Sequence, residues 1–263
     1  MDVIEKLDEF SNRFRSWGAN EKLSGYPFVE NIRAPFAPAR RALPMTNLAL
    51  IASAGAYIAG TDPFDLESKD GDLNFREIPV EVEAGDLLYS AKGYDPAAVT
   101  EDRNSLVPID RLLEYEANAV IGRLNHVWWS LSPWIPNAAK VATEMGPKIA
   151  DRLASHDVQA AILIPASRLC HQTLGIVARA IEMKGISTMI VSVDRKVTDM
   201  VRPPRTAYYS GDFGAVAGKP NWREYQLRVL DEAIRWIETF DQPGSRKLGV
   251  ELETKTEAAR GER

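Results

Sequence analysis

The stretch that most constrains this chain is Ala160–Val193, AAILIPASRLCHQTLGIVARAIEMKGISTMIVSV. The apolar run Ala160–Pro165 is too short for a helix and stops at a proline, so it reads as a buried strand. Leu174, Val177, Ala178 and Ile181 then recur at the three- and four-residue spacing of one helix face. Gly185 ends that helix, and Ser187–Val193 has the β-branched content of a second buried strand. Parallel strands need a crossover of this kind, so the stretch predicts an α/β, three-layer fold with a mostly parallel sheet and flanking helices. Open sheets of this class carry their chemistry in loops leaving the carboxyl ends of strands. Here that loop holds Ser167, Arg168, Cys170 and His171.

The remaining segments arrange themselves around this unit. Val3, Ile4, Leu7, Phe10, Phe14 and Trp17 form one stripe of an amphipathic opening helix. The proline-rich YPFVENIRAPFAPARRALP then predicts an extended connector over the surface, so residues 1–45 are helix plus connector. Residues 46–240 are expected to form the α/β domain, with a strand at Asn47–Ser53 and helices within Ser105–Arg123, Pro136–Ser155 and Trp222–Phe240. TDPFDLESKDGDLNFREIP reads as a long loop, with Asp62, Asp65, Asp70 and Asp72 as turn carboxylates because their spacing does not match a calcium loop. The charged residues 241–263 read as a disordered tail.

The candidate site groups follow from position. Ala54-Gly55-Ala56 after the first strand lets a ligand approach the backbone, which nominates Ser53 and Gly55 as substrate-binding. Cys170 falls at the first turn of a helix, where unpaired amides favour thiolate, and Arg168 and His171 would add positive charge beside a substrate. Asp110 and Arg111, near the start of the helix in Ser105–Arg123, are further substrate-binding candidates. His126 precedes Trp128, Trp129 and Trp134, rings that either wall a pocket or fill a core, and it is a candidate proton-transfer partner for Cys170. From position alone Cys170 is either a reactive thiol or a small buried residue with Ser167 as the helix cap.

Six separated strings carry a family resemblance: SAGAYIAGTDPFD (53–65), GDLNFREIP (71–79), GYDPAAVTEDRN (93–104), VPIDRL (107–112), PASRLCHQTLGIVAR (165–179) and VRPPR (201–205). In this order the chain resembles the selenoprotein B subunits of the glycine, sarcosine, betaine and D-proline reductases, most closely the D-proline type. The resemblance implies a selenocysteine-x-x-cysteine pair in the strand-to-helix loop. There a selenolate attacks a substrate activated by a pyruvoyl group on a separate subunit, and the cysteine resolves the adduct. Cys170 matches that cysteine, and Ser167 stands where selenocysteine would be. A serine hydroxyl forms no selenenyl sulfide, and a single thiol completes no intramolecular two-electron cycle.

Two functions therefore follow from the resemblance. One is a selenium-free enzyme cleaving or reducing a C–N or C–S bond of a small amino-acid-like or heterocyclic substrate, with Cys170 and Ser167 catalytic. The other is a non-catalytic ligand-binding or partner subunit of a reductase-like complex. The partners expected are a small-molecule substrate, a reductase partner subunit and further copies of the chain. A net charge of -5 argues against nucleic-acid or anionic-membrane surfaces. One cysteine and three histidines give no internal disulfide and no zinc spacing, so no metal and no cofactor are expected. The first residues lack a signal-peptide core, which predicts a cytoplasmic protein.

Overall fold

The computed structural model describes residues 2–18 and 22–250. After α1 (Leu7–Ser16) and the connector come β1 (Asn47–Ala52), β2 (Ala56–Ile58), β3 (Arg76–Pro79) and β4 (Leu87–Tyr89). Next are α2 (Ala97–Glu101), α3 (Ile109–Ala117), β5 (Arg123–Leu124) and β6 (Val127–Ser130). One continuous helix follows, α4 (Ala138–Lys140), a π turn (Val141–Met145) and α5 (Gly146–Ser155). Then β7 (Ala160–Ile164), α6 (Arg168–Met183), β8 (Ser187–Ser192), α7 (Arg195–Val201) and β9 (Arg205–Tyr208) alternate, before α8 (Arg223–Thr239) and β10 (Gly244–Lys247).

The main sheet runs β10-β9-β8-β7-β1-β6-β3, with β5 also paired to β1. Every pairing in it is parallel except β3 on β6, so the three-layer, mostly parallel fold is present. β2 and β4 form a separate antiparallel pair. All six residues of β1 and all five of β7 are buried, because a parallel strand is covered on both faces. Alternation sorts them: Leu48, Leu50, Ile162 and Ile164 pack in the core that holds Leu112, Leu230 and Ile234. Ala49, Ile51, Ala161 and Leu163 pack in the opposite core with Ile149, Leu174 and Ile181.

Helix α6 is buried over fourteen of its residues, Leu169 to Glu182, although it carries Gln172, Arg179 and Glu182. The connector and neighbouring segments supply their partners. Val29 N donates to Gln172 Oε1 at 2.8 Å, and Gln172 Nε2 donates to Tyr26 Oη at 2.6 Å. Arg179 donates to the carbonyls of Val3, Arg33 and Arg202 at 2.6 to 2.8 Å. Glu182 accepts from Ala37 N and from Thr188, and pairs with fully buried Arg205, which stacks 4.1 Å from the Phe36 ring. The extended connector is thus the outer cover of the central helix.

Two expectations change. REIP, the end of the long loop, is an edge strand pairing Arg76–Pro79 with Val127–Ser130, a long-range partner that local composition does not reveal. The tail read as disordered from 241 is ordered as far as it is described: Gly244–Lys247 pairs in parallel with β9, and Leu248 and Val250 are buried. Two apolar anchors suffice to dock an otherwise charged segment, while residues 251–263 lie outside the described residues. Among the described residues no helix is long and apolar enough to cross a membrane.

Candidate functional site

The carboxyl ends of β1 and β7 lie side by side, with Ala52 opposite Ile164, so Ser53 and Ala166 begin neighbouring loops. Ser53 Oγ ties them by accepting from Ala166 N at 3.2 Å. Ser167, in extended conformation, caps α6: its Oγ accepts from Cys170 N at 3.3 Å. The same hydroxyl donates to Cys170 Sγ at 3.1 Å. The sulfur also faces Pro133 O at 3.3 Å and Ser53 O at 3.6 Å. Ser53, Ser167 and Cys170 therefore lie together at the carboxyl edge of the sheet.

Of the two readings open for Cys170, its surroundings favour the buried, protonated thiol. Cys170 and Ser167 are each 1% exposed, and burial pushes the thiol pKa up despite the hydrogen bond from Ser167. Two carbonyl oxygens beside the sulfur also favour S–H over thiolate. The helix N-terminus does not win here because a half-charge in the first turn is worth less than removing a sulfur anion from water. A surface cavity of about 460 Å³ lies elsewhere, between α3 and α8, beside Tyr115 and Leu227.

The cover over the sulfur comes from three loops. Gly55 has φ +64°, and a side chain there would strike Ser90 O and come within 2.8 Å of Pro133 Cδ, so the turn must be glycine for packing reasons. Trp134 is 6% exposed beside the site, whereas Trp128 and Trp129 are fully buried and point into opposite cores. Gly93 sits against Ser167 and Trp134, where a Cβ would lie 3.5 Å from Ser167 Oγ and 3.9 Å from Trp134 Cε3. Tyr94 Oη donates to Ala54 O at 2.6 Å, and Gly214 N donates to Ala166 O at 2.9 Å. Sequence reasoning missed Tyr94, Pro133 and Gly214, since GYDPAAVTEDRN carries no local signal for a role of its tyrosine.

The other nominated residues are placed apart from the sulfur or already occupied. His126 is a correction: it is exposed at the amino edge of β6, its ring 5.1 Å from that of His156. Because β6 runs parallel to β1, that edge is the far side of the sheet from Cys170, so His126 is not its proton-transfer partner. His171 is fully buried, its Nδ1 at 2.6 Å from Ser167 O and its Nε2 accepting from Val193 N and Asp194 N at 3.1 and 3.3 Å. Burial holds this imidazole neutral, with its pKa down at about 4, and leaves no ring nitrogen for a ligand. Arg168 turns outward and pairs with Asp194 at 2.7 Å. Asp110 is held by Arg103 at 2.6 Å and Asn104 at 2.7 Å, and Arg111 pairs with Glu114 at 3.0 Å, a network on α3 separate from the thiol.

Comparison with known proteins places the chain. The sequence model of the glycine/sarcosine/betaine reductase selenoprotein B family matches residues 20–166, over half of the chain, ending where the Ser167 loop begins. The D-proline reductase subunit gamma of Acetoanaerobium sticklandii is 30% identical over 207 residues, covering 79% of this chain and 84% of that protein. The glycine reductase complex component B subunits gamma of Symbiobacterium thermophilum and Carboxydothermus hydrogenoformans are 27% and 29% identical over 177 and 159 residues. This chain spans only 39% and 36% of those two proteins. No solved structure matches it significantly. By the family match and the extent of the D-proline reductase similarity, the chain belongs to the glycine/sarcosine/betaine reductase selenoprotein B family.

Proposed function

We propose that the chain is a selenium-free subunit of a reductase-type complex, acting on a small amino-acid-like or heterocyclic substrate with Cys170 as its reactive thiol. The observation that carries this reading is the 3.1 Å contact between Ser167 Oγ and Cys170 Sγ at the carboxyl edge of the sheet. The resemblance aligns these two positions with a selenocysteine-x-x-cysteine pair, and the relatives are named as subunits of D-proline and glycine reductases. With one thiol, the simplest balanced chemistry is redox-neutral. Cys170 Sγ bonds to a substrate carbon, its proton passes to the departing nitrogen or sulfur, and water then releases the carbon fragment and restores the thiol. A reductive cycle instead needs a second thiol from a partner subunit. The burial of Cys170 requires the cover to open before either reaction.

The same burial favours a second reading, a non-catalytic subunit that keeps the fold and binds its partner. Replacing Cys170 with alanine in the assembled complex separates the two. The enzymatic reading expects turnover to vanish while thermal stability and subunit assembly stay as in the parent. Turnover that survives the substitution leaves the non-catalytic reading standing.

A further inference from the structure

We propose that Tyr94 is a positioning residue for Cys170, latching the segment 93–95 over the sulfur through its hydrogen bond to the turn after β1. The turn offers two successive carbonyls: Ser53 O faces Cys170 Sγ at 3.6 Å, and Ala54 O accepts from Tyr94 Oη at 2.6 Å. Both are fixed by the same short stretch of backbone, so the phenol and the thiol are anchored to one turn. The segment is also the last layer over the site. Gly93 and Asp95 are exposed, whereas Ser167, against which Gly93 packs, is 1% exposed. The cover is therefore one backbone thick at this point.

A second loop leans on the same segment. At Gly214, with φ +81°, a Cβ would lie 2.5 Å from Asp95 O and 3.2 Å from Tyr94 Cδ2. Gly214 itself is tied to the Ser167 loop through Ala166 O at 2.9 Å. Tyr94 thus sits where the β1 turn and the Gly214 loop meet, and its largely buried hydroxyl has its pKa raised by burial and by the neighbouring Cys170. The phenol stays protonated, so the latch is a donor across the working pH range. Losing this hydrogen bond should free the segment without removing any group from the core.

The single cysteine makes the test clean, since alkylation of the native chain by iodoacetamide reads only Cys170. The assay uses no substrate, so it is independent of whether the protein turns one over. In Tyr94→Phe the alkylation rate is expected to rise about fivefold to tenfold, the worth of one hydrogen bond. The rate should depend on urea much more weakly than global unfolding does, the mark of local opening. An unchanged rate, or a faster rate carrying the full urea slope of global unfolding, overturns the proposal; the latter is what a merely structural tyrosine would give. If Tyr94→Phe fails to fold, Gly214→Ala decides, because its methyl group presses on the same segment. Faster alkylation with a shallow urea slope supports the latch, and a parental rate overturns it.

Discussion

The two halves of α6 bury polar side chains to opposite ends. From Gln172 to Glu182 the buried Gln172, Arg179 and Glu182 are matched by the N-terminal segment, the connector, the end of α7, β8 and β9, and the result is a closed polar seam that fixes one chain segment on another. In the first turn, Ser167 and Cys170 are equally buried but bond to each other and to two loops, at Ser53 and Pro133. A seam with partners on both sides is structural. A seam whose far side is a cover one segment thick can be opened, and that asymmetry separates the site from its scaffold.

The closed seam is most vulnerable to removing one half of its buried ion pair. Glu182→Ala leaves Arg205 charged with no carboxylate in a fully buried place, and should lower unfolding free energy by about 3–5 kcal/mol in urea titration. Next in size is a pH effect at the junction of the two halves. His171 titrates near 6.5 when unfolded and near 4 when native, so the unfolded chain binds more protons between those values. Stability should be full above pH 6.5 and fall by about 3 kcal/mol as pH drops to 4. Melting temperature against pH should flatten over this window in His171→Asn, relative to its own value at pH 7.5.

Smaller still is the cap. Ser167→Ala should cost about 1 kcal/mol of stability, the usual worth of an N-cap side chain. It should also push the Cys170 pKa further up, because the hydroxyl that donates to the sulfur is gone. A stability loss with no change in the pH dependence of alkylation would place Ser167 in the scaffold half of the helix.

Much of this was legible from local pattern. The strand, helix and strand of Ala160–Val193 appear as Ala160–Ile164, Arg168–Met183 and Ser187–Ser192, because a buried parallel strand and a periodic crossover helix each announce themselves within a few residues. The Ser167 cap and the place of Cys170 came from the same signal. What stayed hidden depends on distant partners. REIP is a strand only because VWWS lies beside it, and His126 falls at the wrong end of the sheet because strand direction is set by topology. The choice between a reactive and a buried thiol at Cys170 stays open in the sequence for a related reason: helix position is local, but burial is decided by the loops at Gly93, Pro133 and Gly214.

At Cys170 burial outweighs the helix N-terminus, and the closed protein holds a protonated thiol. The direct measurement is the iodoacetamide alkylation rate of the native chain from pH 5 to pH 10, beside a small free thiol. The structure predicts a rate well below the free thiol at neutral pH, still climbing above the ordinary thiol pKa of about 8.5. A rate matching or exceeding the free thiol, levelling off below pH 7, would contradict it.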